Sequence, residues 1–277
     1  MKIIRKHIFF INIIFLIGLL TMVCFFNSST KAYARNCNSS YIVIDGNSGK
    51  TLKGSNIHTR LPMASTTKIM TAYTVIKNVR DLDRKVKIDK NAVGIEGSSI
   101  YLQEGEILSI RELLYGLMLR SGNDCAVALS IATFGSEKNF VKQMNYEAKL
   151  LDLQNTNFVN PHGLHDDMHY TSAYDLAIIT AEAYKYNDFV DIVCCKHTTI
   201  NGKEYPRAIK NKNKMLFNYE GCNGVKTGFT KKAGRCLVTG AKRNNIQLIS
   251  VVLNIPDMYN MSGHLLDYGF EQYNWFL

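Results

Sequence analysis

The stretch that decides the fold class reads PMASTTKIMTA at residues 62–72. Its apolar residues, continued by Tyr73 and Ile76, recur at helical spacing, which predicts a helix that begins near Ser65. In such a helix Ser65 and Lys68 lie three positions apart and share one face. The stretch therefore predicts a serine hydroxyl and a lysine amine side by side at the start of a helix.

Two further short polar motifs follow in a fixed order. The second is Ser121-Gly122-Asn123 and the third is Lys226-Thr227-Gly228. Each motif alone is weak evidence, because a helix cap, an interhelical turn or a solvated strand end accounts for it equally well. Together and in this order, they resemble the motif set of the class A β-lactamases and the penicillin-binding proteins.

The residues around the motifs narrow this resemblance to one family. The second motif continues as SGND at residues 121–124, residues 160–164 read NPHGL, and residues 224–230 read GVKTGFT. From about Tyr41 onward the chain resembles the low-molecular-weight penicillin-binding proteins that are serine-type D-alanyl-D-alanine carboxypeptidases of the peptidase S11 family. The resemblance implies an α/β fold of the β-lactamase and transpeptidase type, in which an antiparallel sheet flanked by terminal helices meets a helical cluster at the active site.

The first two motifs carry the expected catalytic chemistry. A serine hydroxyl is a poor nucleophile until a base removes its proton, and Lys68 can act as that base if burial and nearby positive charge lower its pKa. Asn123 and Lys226 are its expected neighbours. The resemblance implies that Ser65 attacks the carbonyl between two D-alanines, and that Ser121 and Lys68 pass the proton to the leaving D-alanine. The predicted catalytic residues are Ser65, Lys68, Ser121 and Asn123.

The third motif is expected to bind substrate. Lys226 and Thr227 can hold a peptide carboxylate by charge and by a hydroxyl hydrogen bond, and Gly228 leaves room for substrate along a strand. By resemblance, the backbone N–H groups of Ser65 and Phe229 form an oxyanion hole. The predicted substrate-binding residues are Lys226, Thr227, Gly228 and Phe229.

Periodicity and end signals predict the elements that carry these motifs. Ser109 and Glu112 have the S-x-x-E form of a capping box, at the start of a helix that stops at Ser121. Asp124 is expected to cap the next helix. Further helices are predicted over residues 124–132, 137–151, 172–186 and 258–277. A hairpin of edge strands is predicted over residues 41–45 and 50–53, and three successive antiparallel strands over residues 224–230, 235–242 and 247–253.

The N-terminal region is predicted to direct export. Basic residues precede an uncharged apolar run at residues 8–26, and AYA at residues 32–34 offers a processing site. We therefore predict a signal peptide at residues 1–34, with an uncleaved anchor as the alternative. Residues 35–277 are predicted to form a single catalytic domain without the C-terminal β-rich domain of many relatives. The expected location is extracytoplasmic, secreted or associated with the cell envelope, with membrane contact only through the N-terminal segment.

Composition constrains the partners and the cofactors. The net charge of +10 includes four basic residues of the predicted signal peptide, so residues 35–277 carry 29 Lys and Arg against 23 Asp and Glu, or +6, which suits an anionic envelope. A nucleic-acid partner is not indicated, because no basic stripe interleaved with aromatic residues and no zinc-finger spacing is present. Cys24 leaves with a cleaved signal, and the other six of the seven cysteines contain no C-x-x-C pair. Buried free thiols are therefore expected for most of them. No metal or organic cofactor is implied.

Three histidines form the one pattern that suggests a metal. His162, His165 and His169 are spaced as helical zinc ligands would be, but Pro161 and Gly163 argue against a regular helix. We assign His162 to the family's loop motif, and we expect His165 and His169 at the surface.

The sequence thus predicts an enzyme that trims the terminal D-alanine from peptidoglycan stem peptides through an acyl-enzyme and is acylated by β-lactam antibiotics. The nearest alternative is a class A-like β-lactamase, which needs a Glu-x-x-x-Asn pentad before the third motif to activate water. No such pentad lies between Asn123 and Lys226. The other alternative is a non-catalytic penicillin-binding sensor. Such a module has no need to retain all four of the residues Ser65, Lys68, Ser121 and Lys226.

Overall fold

The computed structural model describes residues 38–273. The residues before Asn38, which include the predicted signal peptide and its processing site, lie outside the described residues, as do residues 274–277 of the predicted last helix. The strands are β1 (Ser40–Asp45), β2 (Thr51–Ser55), β3 (Lys85–Lys87), β4 (Ile107–Ser109), β5 (His197–Asn201), β6 (Pro206–Lys210), β7 (Cys222–Thr230), β8 (Gly234–Arg243) and β9 (Ile246–Leu253). The helices are α1 (Lys68–Asn78), α2 (Ile110–Leu119), α3 (Asn123–Phe134), α4 (Glu137–Leu150), α5 (Ala173–Ala183), α6 (Asn187–Cys194), α7 (Met215–Asn218) and α8 (Met258–Glu271).

A five-stranded antiparallel sheet in the order β2-β1-β9-β8-β7 forms the frame. The predicted hairpin and the three predicted strands after residue 220 are confirmed. One detail of the prediction is wrong: of the two hairpin strands only β2 lies at the sheet edge, because β1 also pairs with β9 over its full length.

Both faces of the sheet are covered, and the period-two pattern of β9 shows how. Leu248 and Val252 pack on one face with Leu265 and Phe270 of α8. The alternate residues of β9, represented by Ile249, join the large core shared with the other helices. The sheet is therefore sandwiched between a C-terminal helix and a helical cluster, as the family resemblance implies.

The helix α1 runs through the middle of the helical cluster. Every residue from Lys68 to Ile76 is buried, and α1 contacts α2, α3, α4, α5 and α6. A 3₁₀ turn at Ala64–Thr67 leads into it and contacts β7. The start of α1 is thus fixed between the helical cluster and the edge of the sheet.

Helix ends follow the predicted chemistry in one case and depart from it in another. The Ser109 side chain and Glu112 form the predicted capping box at the start of α2. Gly122, and not Asp124, is the N-cap of α3. The Asp124 carboxylate instead accepts hydrogen bonds from the Ser99 hydroxyl at 2.5 Å and from the backbone N–H of Ile100 at 3.0 Å, which ties the preceding loop to α3.

The region between the predicted helix at 172–186 and β7 is more segmented than the sequence indicates. The helix ends at Ala183, and α6 follows a short turn. The β5–β6 hairpin of this region and the two-stranded sheet β3–β4 earlier in the chain were not predicted. Within residues 38–273, no helix is long and apolar enough to span a lipid bilayer.

Candidate active site

The predicted nucleophile lies on the 3₁₀ turn that precedes α1. Ala64 has a positive φ of 48°, so the chain turns sharply just before Ser65. The Thr66 hydroxyl donates to the Met63 carbonyl at 2.6 Å, and the Thr67 hydroxyl donates to the Ala64 carbonyl at 2.8 Å. The two threonines of the first motif thereby hold the turn that presents Ser65.

Lys68 is fully buried, and its amine has three hydrogen-bond partners. Its Nζ lies 3.1 Å from Ser65 Oγ, 2.7 Å from Asn123 Oδ1 and 2.5 Å from the His162 carbonyl oxygen. Burial, and secondarily the charge of Lys226, hold the pKa of Lys68 well below its ordinary value. These are the conditions that the sequence analysis required of a lysine base.

Lys226 is the second buried lysine of the site, with 1% of its surface exposed. Its Nζ donates to the Thr227 carbonyl at 3.0 Å. Burial, with a smaller effect of Lys212, lowers its pKa to about 7. The Lys226 ammonium is thus placed to act on Lys68 through its charge.

The second motif lies at the junction of α2 and α3. Ser121 has a φ of 66° and is 5% exposed, and it faces the same pocket as Ser65. The Asn123 side chain is fixed from both sides, because its Nδ2 donates to the Glu96 carbonyl at 2.6 Å while its Oδ1 accepts from Lys68. The motif therefore supplies one hydroxyl facing the pocket and one amide that holds the lysine.

The third motif lies on β7 against the nucleophile turn. An added Cβ at Gly228 would lie 3.1 Å from the Met63 carbonyl oxygen and from the backbone nitrogens of Ser65 and Thr66. Gly228 also lines the active-site pocket, so its missing side chain serves both the close approach of β7 to the nucleophile turn and the predicted space for substrate along the strand, which stays a prediction. Thr227 lines the pocket, and the Phe229 side chain is 66% exposed.

The loop at residues 160–164 supports the lysine from the opposite side. The His162 carbonyl accepts from Lys68, and the Pro161 carbonyl accepts from the Thr71 hydroxyl at 2.6 Å. Gly163 has a φ of 89°, and an added Cβ there would lie 2.0 Å from the Ala64 carbonyl oxygen. This loop is not a helix, as Pro161 and Gly163 predict.

His169 is buried, so the prediction that it lies at the surface is wrong. Its Nδ1 accepts from the Val159 backbone N–H at 3.1 Å, and its Nε2 lies 2.8 Å from the Thr67 hydroxyl. Because Nδ1 is an acceptor, the ring proton is on Nε2 and is donated to Thr67. Burial lowers the pKa of His169 to about 4. His169 therefore braces the nucleophile turn from outside the three motifs.

The three histidines do not converge on one point. The His162 ring nitrogen Nε2 lies 3.9 Å from a Glu137 oxygen, and the corresponding nitrogen of His165 lies 3.3 Å from Asp167. His165 is exposed, as predicted. Across the part of the chain that the structure describes, no group of three or more histidine, cysteine or acidic residues could hold a metal ion.

The cysteines differ in burial. All five within residues 38–273 are free thiols: Cys125, Cys194, Cys195, Cys222 and Cys236. Cys125 and Cys236 are buried, as expected, while the other three are partly exposed. Cys37 lies outside the described residues.

A pocket of about 340 Å³ opens over these groups. Five of the predicted site residues line it: Ser65, Ser121, Thr227, Gly228 and Phe229. Several other lining residues belong to none of the three motifs and were not predicted, notably Ser98, Lys212, Arg235 and Tyr259. Of these residues, only Arg235 has a position that follows from the predicted strands, because it pairs with Phe229 across β7 and β8.

The fold and the site together identify the protein family. The sequence profile of the D-alanyl-D-alanine carboxypeptidase family, peptidase S11, matches residues 28–257. The chain belongs to this family, and the resemblance carried by its three motifs is confirmed.

Individual relatives agree with this assignment. The D-alanyl-D-alanine carboxypeptidase DacF of Bacillus subtilis is 36% identical over 84% of this chain and 62% of its own length. DacC of Escherichia coli is 34% identical over 83% of this chain and 60% of its own. The chain thus spans about three fifths of the length of these curated relatives.

Solved structures confirm the predicted fold class. The crystal structure of the Streptomyces K15 DD-transpeptidase is 34% identical, with a TM-score of 0.78 over 83% of this chain and 96% of that one. The D-alanyl-D-alanine carboxypeptidase DacD from Francisella tularensis is 28% identical, with a TM-score of 0.77 over 83% of this chain and 70% of that one.

Proposed function

We propose that the chain is a serine-type D-alanyl-D-alanine carboxypeptidase that removes the terminal D-alanine from peptidoglycan stem peptides and is acylated by β-lactam antibiotics. One observation carries the proposal: the fully buried Lys68 amine lies 3.1 Å from Ser65 Oγ, beside the second buried lysine, Lys226. A lysine whose ammonium form is disfavoured in this way can accept the serine proton near neutral pH.

The proposed reaction has two steps. In the first, Lys68 takes the proton of Ser65 as Oγ bonds to the carbonyl carbon, and the C–N bond breaks after the leaving D-alanine nitrogen receives a proton. The Ser121 hydroxyl faces the same pocket and is the proposed relay for that proton. In the second step, water adds to the ester, releases the shortened peptide and restores the Ser65 hydroxyl.

The substrate carboxylate has a proposed binding site on the pocket wall. Thr227 lines the pocket beside Lys212 and Arg235, whereas Lys226 is 1% exposed and has its neighbour's carbonyl as an acceptor. We therefore propose that Thr227, Lys212 and Arg235 contact the carboxylate and that Lys226 contributes its charge from beneath. The backbone N–H groups of Ser65 and Phe229 remain the proposed oxyanion hole.

The nucleophile is tested by Ser65→Ala. This change should abolish covalent labelling by a fluorescent penicillin and D-alanine release from a stem pentapeptide, because it removes the acyl acceptor; losses of about 10⁶-fold are typical for a nucleophilic serine. The matched control is Ser98→Ala in the same pocket, which should retain labelling. Labelling that survives in Ser65→Ala would show that another group is acylated.

The location of the protein is proposed on the sequence of its first residues. Residues 1–34 are proposed to direct export, so that residues 35–277 act as one catalytic domain outside the cytoplasmic membrane. N-terminal sequencing of the protein from expressing cells tests this. A start at Arg35 supports cleavage, and an intact Met1 in a detergent-soluble fraction supports a permanent anchor.

A further inference from the structure

Residues 93–106, here called the active-site loop, form neither helix nor strand and lead into β4. The first part of the loop is bonded to the second motif, because the Glu96 carbonyl accepts from Asn123 Nδ2 at 2.6 Å. An added Cβ at Gly97 would lie 2.7 Å from the same nitrogen, so the loop backbone packs directly against this amide. Since Asn123 Oδ1 accepts from Lys68, the loop helps to fix the lysine base.

The end of the active-site loop is held by a buried ion pair. Glu106 is 1% exposed, and its two carboxylate oxygens accept from the Arg207 guanidinium of β6 at 2.5 and 3.0 Å. The same oxygens accept from the backbone N–H groups of Gln103 and Lys203, each at 3.1 Å. The Arg207 guanidinium also donates to the Tyr101 carbonyl at 2.9 Å. Arg207 thus bonds the β5–β6 hairpin to two residues of the loop.

The middle of the active-site loop is bonded to the start of α3. The Asp124 carboxylate accepts from the backbone N–H of Leu102 at 3.2 Å, in addition to its bonds with Ser99 and Ile100. Asp124 directly follows Asn123 in the chain. A displacement of this part of the loop is therefore transmitted to the second motif.

The backbone of Tyr101 shows that the loop is held in an unfavourable conformation. Its φ of 60° lies in the left-handed region, which disfavours residues that have a Cβ. The ring is 81% exposed, so its burial does not offset this cost. Hydrogen bonds hold the conformation instead, because the Tyr101 N–H donates to Ser99 Oγ at 2.7 Å and its carbonyl accepts from Arg207. Loss of Arg207 therefore lets the loop relax.

Loss of Arg207 also leaves the Glu106 carboxylate buried without a counter-charge. Within residues 38–273, Arg207 is the only ion-pair partner of Glu106. An unpaired buried carboxylate is much less favourable than a solvated one, so we expect Glu106 to turn toward water and to move the end of the loop. Both effects displace the loop from the position in which it fixes Asn123.

We infer that Arg207 is a positioning residue for the Lys68 base, although it belongs to none of the three motifs and is not among the residues that line the active-site pocket. It acts through Glu106 and Tyr101 on the active-site loop, and the loop acts on Asn123. The inference rests on the proposed function and deepens it, because it extends the machinery of the site to the β5–β6 hairpin.

The pH dependence of acylation separates this role from a general loss of stability. Burial is the main cause of the low pKa of Lys68, so a displaced loop that admits water should raise that pKa toward its ordinary value. Neutral Lys68 would then be formed only at higher pH, and acylation would require higher pH as well. The titratable and charged groups that act on Lys68 or are acted on by it are unchanged in the variants below: Lys226, Cys125, Asp124, Lys212, His162 and His169.

The first variant is Arg207→Gln. Its acylation by a fluorescent penicillin at pH 7 should be slower by roughly 10- to 100-fold, because a displacement of about 1 Å caused far from the chemistry can cost 10²-fold. The pH of half-maximal acylation rate should rise by about 1 unit, a small part of the shift that full burial can cause. The unaltered protein, measured over the same pH range, supplies the reference.

The matched control is Arg111→Gln. Arg111 also forms two ion pairs, with Asp83 and with Asp188 of α6, and neither partner belongs to the active-site loop. Its replacement should lower the melting temperature, as that of Arg207 should, but it should leave the acylation rate and its pH profile unchanged. The comparison therefore removes the contribution of stability alone.

A second variant combines Arg207→Gln with Glu106→Gln, and it decides the question if Arg207→Gln does not fold. It buries no unpaired charge, yet two amides cannot reproduce the fork that bonds Glu106 and Tyr101 together. If Arg207 acts through Glu106, acylation in the paired variant should be slowed no more than in Arg207→Gln. Independent action would instead give the product of the losses measured for the two single variants.

Three results would overturn the inference. An unchanged acylation rate and pH profile in the folded Arg207 variants would show that the ion pair does not position the base. Slower acylation without a change in the pH profile would show that Arg207 acts on another part of the pocket. Multiplied losses in the paired variant would show that Glu106 does not carry the effect. Failure of the unaltered protein to react with penicillin and to release D-alanine would instead contradict the proposed function itself.

Discussion

His169 illustrates how much of the active site depends on single buried side chains outside the motifs. Its ring accepts from Val159 and donates to Thr67, whose hydroxyl in turn donates to Ala64, the residue before the nucleophile. Both ring nitrogens are therefore in use in the neutral form. Protonation would place a second N–H against the Val159 donor, so the neutral form is required by the hydrogen bonds as well as by burial.

The pH dependence of stability follows from this pairing. The pKa of His169 is about 4 in the folded protein and about 6.5 in the unfolded chain. The unfolded chain therefore binds more protons between these values, and the free energy of unfolding should fall as the pH is lowered from about 6.5 to about 4. His169→Gln keeps a donor for Thr67 but has no titrating group. In urea unfolding, the decrease in its free energy of unfolding from pH 7 to pH 4.5 should therefore be smaller than that of the unaltered protein.

The matched control is His165→Gln, since His165 is exposed and lies on the same loop. The free energy of unfolding of His165→Gln should decrease from pH 7 to pH 4.5 by as much as that of the unaltered protein. An unchanged fall in His169→Gln would mean that His162, which has the same low pKa of about 4, accounts for the acid sensitivity.

Sequence alone could place Ser65, Lys68 and Asn123, because their motifs have fixed spacing and local structure. It could not place His169, because the burial of that ring depends on tertiary contacts. Its partner Thr67 is distant in sequence, and its other partner, Val159, is ten positions earlier in the chain. Lys212 and Arg235 were missed for the same reason: their position in the pocket results from the packing of loops and strands, which no short motif encodes.

At the level of elements, the 3₁₀ turn that carries Ser65 and precedes α1 is held between two backbones. The β7 strand approaches it at Gly228, and the loop at residues 160–164 approaches it at Gly163. An added Cβ at Gly163 would collide with the turn at 2.0 Å, whereas one at Gly228 would make a tight contact at 3.1 Å. Gly163 is the more demanding position, because its φ of 89° is unfavourable for other residues and its missing Cβ would overlap the Ala64 carbonyl.

Gly163→Ala should therefore destabilise the protein and slow acylation together. The Cβ would displace the backbone immediately before Ser65, so we expect an unfolding free energy lower by about 2–4 kcal/mol and penicillin acylation slower by at least about 10-fold. Gly94→Ala is the matched control, since Gly94 has a φ of 72° and no atom within 4 Å of an added Cβ. It should cost about 1 kcal/mol and leave acylation unchanged. Equal effects of the two changes would show that backbone strain alone, and not the contact with Ala64, is responsible.

An element could be predicted where its sequence carries an apolar repeat or a capping signal. The strands β7, β8 and β9 and the capped helix α2 carry strong period-two or capping signals. The β5–β6 hairpin carries none, since Ile200 and Ile209 are its only buried residues. The break between α5 and α6 has no glycine or proline to mark it. There the Tyr184 hydroxyl lies 3.0 Å from Asn223 Oδ1, a tertiary contact that periodicity does not reveal.

At the scale of the whole molecule, the active site opposes stability. Lys68 and Lys226 are both buried, neither forms an ion pair with a carboxylate of residues 38–273, and their charged forms are disfavoured. Such an arrangement suits a base and is unfavourable for folding, because replacing a buried charge by an apolar group of similar size often stabilises a protein.

Lys226→Met should accordingly raise the melting temperature by several degrees at pH 7 and abolish rapid acylation. The pKa of Lys226 is about 7 in the folded protein and 10.5 ordinarily, so the unfolded chain retains this proton to higher pH. Stability due to this group should therefore rise from pH 7 to about pH 10, and Lys226→Met should remove that rise. The control is Lys231→Gln on the exposed turn after β7. A lower melting temperature in Lys226→Met would show that the lysine contributes more to packing than burial of its charge costs.

The position of β7 at the end of the sheet order has a consequence for recognition. No strand of the described residues pairs with its outer side, so that side offers main-chain donors and acceptors beside the nucleophile. A substrate peptide that lies along it would be read through its own main chain, as a temporary sixth strand. Main-chain recognition ignores the chemistry of side chains but is sensitive to the handedness of each residue. In the proposed reaction, such binding would accept stem peptides that differ in their side chains and would discriminate D-residues from L-residues.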